Sequence, residues 1–229
     1  MELETYKTSP AHAIVGNTLA VLLMFLSVFL PAGRLDYWQG WAYVAIYALI
    51  PLLIYRFVPG ELMKERRNSG QHAKVSENIF MVSYSLLAFV TPAISSLDAG
   101  RFRWTEPFPA YINVVFFFII MLSGALVIWS MRVNRFFSSV IRIQSDRGHY
   151  VIQNGPYAVV RHPGYAGVIL NGIAAPLALG SFAGLVPVFL LLALTVIRTG
   201  REDRTLKRDL PGYREYARKV RSRLVPGIW

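Results

Sequence analysis

The sequence predicts an all-α, polytopic integral membrane protein with about six transmembrane helices, the last two a tight hairpin. Three observations carry that prediction. Of 229 residues, 54% are hydrophobic and only 16% charged, with a mean hydropathy of +0.41, which excludes an ordinary soluble globule. Five long segments contain no Asp, Glu, Lys or Arg. The surplus of basic residues, 24 against 13 acidic, lies on one side of the chain those segments define.

The first four segments are 8–33, 37–55, 78–97 and 107–131, of 26, 19, 20 and 25 residues. A bilayer core of about 30 Å needs roughly 20 apolar helical residues, so each suffices for one crossing. Tyr37, Trp38, Trp41 and Tyr43 cluster at the edge of the second, and Trp104 precedes the fourth, as interfacial rings do. The fifth segment, 162–197, has 36 residues, too many for one span. Its centre, residues 179–184, reads Leu-Gly-Ser-Phe-Ala-Gly between Pro176 and Pro187, so it predicts two short helices joined by a tight turn. Residues 21–30 and 114–122 are apolar on every face, which excludes both the polar stripe of a soluble core helix and the alternation of a membrane barrel.

Sorting charges by this scheme places 21 of the 24 basic residues on one side, with ten acidic ones, a net +11. The other side receives Arg34, Arg101 and Arg103, balanced by Asp36, Asp98 and Glu106. The positive-inside rule then puts both termini and both long loops in the cytoplasm and suggests a bacterial inner membrane; nucleic acid need not be invoked for the basic excess. The apolar stretch after the first 12 residues is too long for a signal-peptide core and lacks a clear cleavage site. Absence of cysteine excludes disulfides, thiolate metal sites and a Cys nucleophile. His12 and His72 have no second ligand at metal spacing and read as solvated residues, so no metal is expected.

Outside the spans, residues 61–77 read as a polar loop with a short surface helix ending near Gly70, and a second loop covers 132–161. After Ile197, Leu206, Leu210, Tyr213, Ala217, Val220 and Leu224 recur at helical spacing among Lys and Arg. This basic amphipathic pattern fits an anchor on anionic lipid, a cover over a site, or both. Pro211-Gly212 interrupts it, so the sixth span should run to about Asp209 and a further helix start at Pro211. No repeat or linker divides the chain: 1–229 is one domain, with four N-terminal spans in 1–131 and the chemistry in 132–229.

That chemistry concentrates in two places. His149-Tyr150-Val151-Ile152, Gly155-Pro156-Tyr157 and Arg161-His162-Pro163-Gly164-Tyr165 run into the fifth segment and supply donors, aromatic faces and close backbone approach for a small polar cofactor. On spacing alone they equally fit a structured turn before a helix. Arg198 and Glu202 stand four apart, on one helical face where the sixth span leaves the membrane. They fit either an intrahelical ion pair or separate grips on an anionic and a cationic group.

The combined pattern, with Glu202-Asp203-x-x-Leu206, Gly212-Tyr213-x-x-Tyr216 and a closing Leu224-Val225-Pro226, resembles the isoprenylcysteine carboxyl methyltransferase family and its bacterial relatives, to which phospholipid N-methyltransferases are also similar. The resemblance covers about 142–229; the first four spans match in hydropathy only. It implies a membrane-embedded methyltransferase that uses S-adenosylmethionine and releases S-adenosylhomocysteine, with a cytoplasmic C-terminal helical cofactor site. It places His149, Tyr150, Val151, Ile152, Tyr157, His162, Pro163, Gly164 and Tyr165 on cofactor-binding positions, with Gln144 at a slightly different spacing from the family's upstream Gln. It gives Glu202 the methionine ammonium and Arg198, as catalytic and substrate-binding residue, the orientation of the acceptor. The acceptor implied is lipophilic, prenylated or lipid, most simply a carboxylate. An amine acceptor would need a carboxylate base, for which Asp203 is the nearby residue. A sterol-type reductase using NADPH shares an Arg-His-Pro-x-Tyr segment on a longer chain, and a lipid-binding or transport protein is the non-enzymatic rival. The implied partners are that acceptor and the membrane lipids.

Overall fold

The computed structural model describes residues 10–69 and 75–229. Lys7, Lys74 and His72 lie outside the described residues, as does the side chain of His12. The helices are α1 (Pro10–Ala32), α2 (Trp38–Phe57), α3 (Gly60–Ser69), α4 (Val75–Ser95), α5 (Ala110–Val133), α6 (Pro163–Ala178), α7 (Leu185–Asp209) and α8 (Tyr213–Lys219). Among the described residues there is no β-strand. Among the described residues three helices are long and apolar enough to cross a membrane: α2, the continuous stretch Glu77–Phe102, and α5. Residues 17–32 of α1 form a shorter apolar helix, α6 has 16 residues, and α7 is apolar only in its first half.

The predicted hairpin is present: α6 ends at Ala178 and α7 begins at Leu185, with Gly180 in the turn at a φ of +83°. His162 stands just before α6 and Pro163 fills its first position, where a missing N–H costs nothing. α6 lies closely along α5; a Cβ on Gly167 would sit 2.7 Å from Val127 and 3.0 Å from the Ser123 carbonyl, so only glycine permits this approach. An apolar core joins Val28 and Phe29 of α1, Tyr43 of α2, Ile120 of α5 and Ala175 of α6. Outward-facing residues such as Val82, Phe118 and Phe189 are exposed, which suits contact with lipid tails.

Three boundaries differ from the sequence expectation. The third segment does not stop at residue 97: α4 continues as a π-helix, Ser96–Phe102, and buries Asp98, which hydropathy assigns to an external loop. The burial is tolerated because Thr105 donates its N–H and hydroxyl, Ser181 its hydroxyl and Ala183 its N–H to the carboxylate. Glu77, expected in the polar loop, instead occupies the first turn of α4 and is buried. At the C-terminus α7 ends at Asp209 as expected, while the following helix starts at Tyr213, two residues later than Pro211.

Candidate active site

A cavity of about 470 Å³ opens at the basic end of the bundle, where α4 begins, α5 ends, α6 begins and α7 becomes charged. One arm is apolar, lined by Ile54, Phe80, Met81, Tyr84, Val127 and Met131 from α2, α4 and α5. The other carries the polar residues singled out in the sequence: His149, Tyr150, Val151, Ile152, Tyr157, His162, Gly164, Tyr165, Arg198 and Glu202 all line it. Gln144 and Pro163 do not. Gln144 is fully buried behind the wall, its amide donating to the Phe136 carbonyl at 2.8 Å and accepting from Arg147.

Each polar side chain is held by its neighbours. His149 follows the 3-10 turn Ser145–Arg147; its Nδ1 accepts the Gln144 N–H at 3.2 Å, so the neutral ring carries its proton on Nε2. Burial, with Arg142 and Arg147 nearby, lowers its pKa to about 4. Phe136 packs 4.3 Å from its ring. Tyr157 sits on the turn Gly155–Ala158, its hydroxyl accepting from Asn134 at 3.1 Å, and burial pushes its pKa upward, so it stays a phenol. Gly164 touches the Phe137 ring, and a Cβ there would stand 2.6 Å from it.

Arg198 and Glu202 do not form the intrahelical pair their spacing allows. Tyr165 stands between them, donating to Glu202 Oε2 at 2.7 Å and accepting from Arg198 Nε at 2.8 Å. Arg198 also donates to the Ser139 carbonyl at 2.6 Å, pairs with Glu77 at 2.7 Å, and lies 4.3 Å over the Phe80 ring. The buried pair Glu77–Arg198 joins α4 to α7. Nothing in the local sequence around Glu77 points to it; only the fold brings it there.

Asp203, one residue beyond Glu202, faces away from the cavity. Its fully buried carboxylate meets Arg161 at 2.8 Å, Lys207 at 2.9 Å and Arg223 at 3.0 Å, and accepts the Tyr213 hydroxyl at 3.1 Å. These donors, with His162 at 3.5 Å, override burial and hold its pKa far below the usual carboxylate range. Such a group cannot take a proton from an amine, which corrects the expectation that it could serve as a base. The C-terminal tail is tied to the same hub: Arg161 donates to the carbonyls of Val220 and Arg221, and its backbone N–H to Ser222. The apolar face of the tail turns inward, Leu210, Tyr213 and Tyr216 packing on Ile143, Val151 and Leu206, so it covers the site.

Helices suited to a bilayer, with a cavity whose one arm is lipophilic and whose other arm is ionic, define a helical membrane enzyme. The isoprenylcysteine carboxyl methyltransferase family model matches residues 114–208. Two relatives, each named "Probable protein-S-isoprenylcysteine O-methyltransferase", come from Oryza sativa subsp. indica and subsp. japonica; each is 26% identical over 190 residues, 81% of this chain and 95% of the relative. Over that stretch the chain is similar to the isoprenylcysteine carboxyl methyltransferase family, and the likeness supports a methyltransferase.

Proposed function

We propose that this enzyme is an integral-membrane, S-adenosylmethionine-dependent methyltransferase acting on the carboxylate of a lipophilic acceptor, a prenylated or other lipidic molecule. The observation that carries this reading is the shared cavity: Arg198 and Glu202 line the same space as the apolar Ile54, Phe80, Met81, Val127 and Met131. Six spans with both termini in the cytoplasm of a bacterial inner membrane fit the one-sided basic excess. The single domain 1–229 then divides into supporting spans, 1–131, and a cofactor-binding part, 132–229.

The residues suit the cofactor. S-adenosylmethionine, when bound, supplies an electrophilic methyl group and releases S-adenosylhomocysteine. Glu202, oriented by the Tyr165 hydroxyl, offers a carboxylate to an ammonium group. His149 offers a neutral Nε2–H donor, the backbone of Tyr150, Val151 and Ile152 offers further polar groups, and the rings of Tyr157, His162 and Tyr165 with Gly164 form an aromatic wall suited to a cation. Pro163 starts the helix that carries Gly164 and Tyr165, and the Gln144 N–H braces His149 through Nδ1.

Arg198 holds the acceptor carboxylate by its remaining N–H groups. An ionised carboxylate needs no base, so positioning supplies most of the acceleration. This matches the state of Asp203, the carboxylate an amine acceptor would call on: it is absent from the cavity wall and held by three cations. That argues against phospholipid or small-amine N-methylation. Incubating purified protein with labelled S-adenosylmethionine and prenylcysteine, fatty carboxylate, thiol and amine acceptors tests the reading. Base-labile methyl ester on an apolar carboxylate is expected; label confined to amines would overturn it.

A further inference from the structure

Glu77 lies outside the stretch the family model matches, and the proposed chemistry does not use it. Yet its side chain is only 6% exposed, as is that of Arg198, and the two are 2.7 Å apart. The same Oε2 accepts the Ile141 N–H at 3.4 Å, and Arg201 approaches Oε1 at 3.9 Å. A carboxylate with the family's acceptor-orienting arginine as its partner is more than a helix-end charge. Methylation forms one O–C bond and breaks one S–C bond: the sulfonium becomes a neutral thioether and the acceptor carboxylate a neutral ester, with no proton moved. The anion that Arg198 holds at the start of turnover is therefore gone at its end. A buried guanidinium without counter-charge is strongly unfavourable.

We propose that Glu77 is a specificity-determining residue that acts through Arg198. It is a fixed counter-carboxylate that keeps the guanidinium paired before the acceptor binds and after its charge is lost. It thereby sets how strongly the cavity prefers an anionic headgroup over a neutral or cationic one. The inference rests on Arg198 facing the acceptor, as in the function proposed above. Because Arg198 is already paired, the discrimination between headgroups is moderated, and the neutral ester can leave without stranding a charge.

The test uses three ligands that share one apolar tail and end in a carboxylate, a primary amide or an ammonium, titrated into the full-length protein saturated with S-adenosylhomocysteine. The unmodified protein should favour carboxylate over amide by less than about thirtyfold, and a larger preference overturns the proposal. Glu77→Gln should raise the carboxylate-over-ammonium ratio at least about tenfold, with S-adenosylhomocysteine affinity unchanged. An unmoved ratio in a folded Gln variant overturns it; if that variant does not fold, the unmodified protein's carboxylate-over-amide preference still decides. Arg198→Gln separates this from the parent reading. If that variant binds the carboxylate like the unmodified protein, the role of Arg198 fails and that of Glu77 with it. If it loses the carboxylate while the Glu77→Gln ratio stays put, only the inference about Glu77 fails.

Discussion

The two ends of the α6–α7 hairpin each bury an aspartate completely, and they solve the problem in opposite ways. At the turn, Asp98 is satisfied by neutral donors: two groups of Thr105, the Ser181 hydroxyl and the Ala183 N–H, at 2.6 to 3.2 Å. At the far end, Asp203 is satisfied by Arg161, Lys207 and Arg223 together with Tyr213. Neutral donors close a turn and leave nothing for a ligand. Cations gathered on Asp203 fix the tail over a cavity, while the next residue, Glu202, and its helical neighbour Arg198 stay on the cavity wall. Charge is thus concentrated where a charged cofactor and acceptor would meet.

Replacing each carboxylate is the sharpest way to break this contrast. Asp203→Asn strands the buried guanidinium of Arg161 and unpairs the partly exposed Lys207 and Arg223, and should destabilise the protein by about 3–5 kcal/mol in chemical denaturation. Because the folded pKa of Asp203 is depressed, its stabilisation is present above the unfolded value of about 4 and lost as pH falls toward the folded one, so the difference between unmodified and Asn proteins should shrink in acid. Next in size, Glu202→Ala should weaken S-adenosylhomocysteine binding by about a hundredfold, and Arg198→Ala should cut turnover by a similar factor while leaving that binding intact. The reverse pattern in calorimetry would exchange their roles. Asp98→Asn, losing only bonds to neutral donors, should cost about 1–3 kcal/mol of stability and leave binding untouched. Smallest is a pH effect: with His149 neutral down to about 4, its contribution to S-adenosylhomocysteine binding should stay level from pH 8 to about 5 and fall only below that, as protonation removes the Nδ1 acceptor.

How much of this was legible in the sequence follows from what kind of interaction built each part. Charge-free runs are a local property, so α2, α5 and the hairpin at 179–184 stand close to where hydropathy puts them, and α7 ends at Asp209 as the Pro211-Gly212 break implies. The motif residues His149 to Ile152, Tyr157, Tyr165, Arg198 and Glu202 do meet in one cavity. Pairings across the bundle were not legible. Helical spacing suggests that Arg198 meets Glu202, but Tyr165 from α6 intervenes and Glu77 from α4 takes the guanidinium. Nor does any window reveal that Arg161 and Arg223, 62 positions apart, share Asp203, or that the amphipathic tail turns its apolar face onto Ile143 and Val151. Burial of Asp98 likewise depends on donors from Ser181 and Ala183, more than 80 residues away.

The most direct test of the central claim is calorimetric titration of S-adenosylhomocysteine into the purified, detergent-solubilised protein, with thermal unfolding followed in parallel. Saturable binding at one site is predicted, with a stabilisation of about 2.7 kcal/mol at a hundredfold excess over Kd and none from NADPH. No binding of S-adenosylhomocysteine, or stabilisation by NADPH in its place, would contradict the assignment of this cavity as the methyl-transfer site.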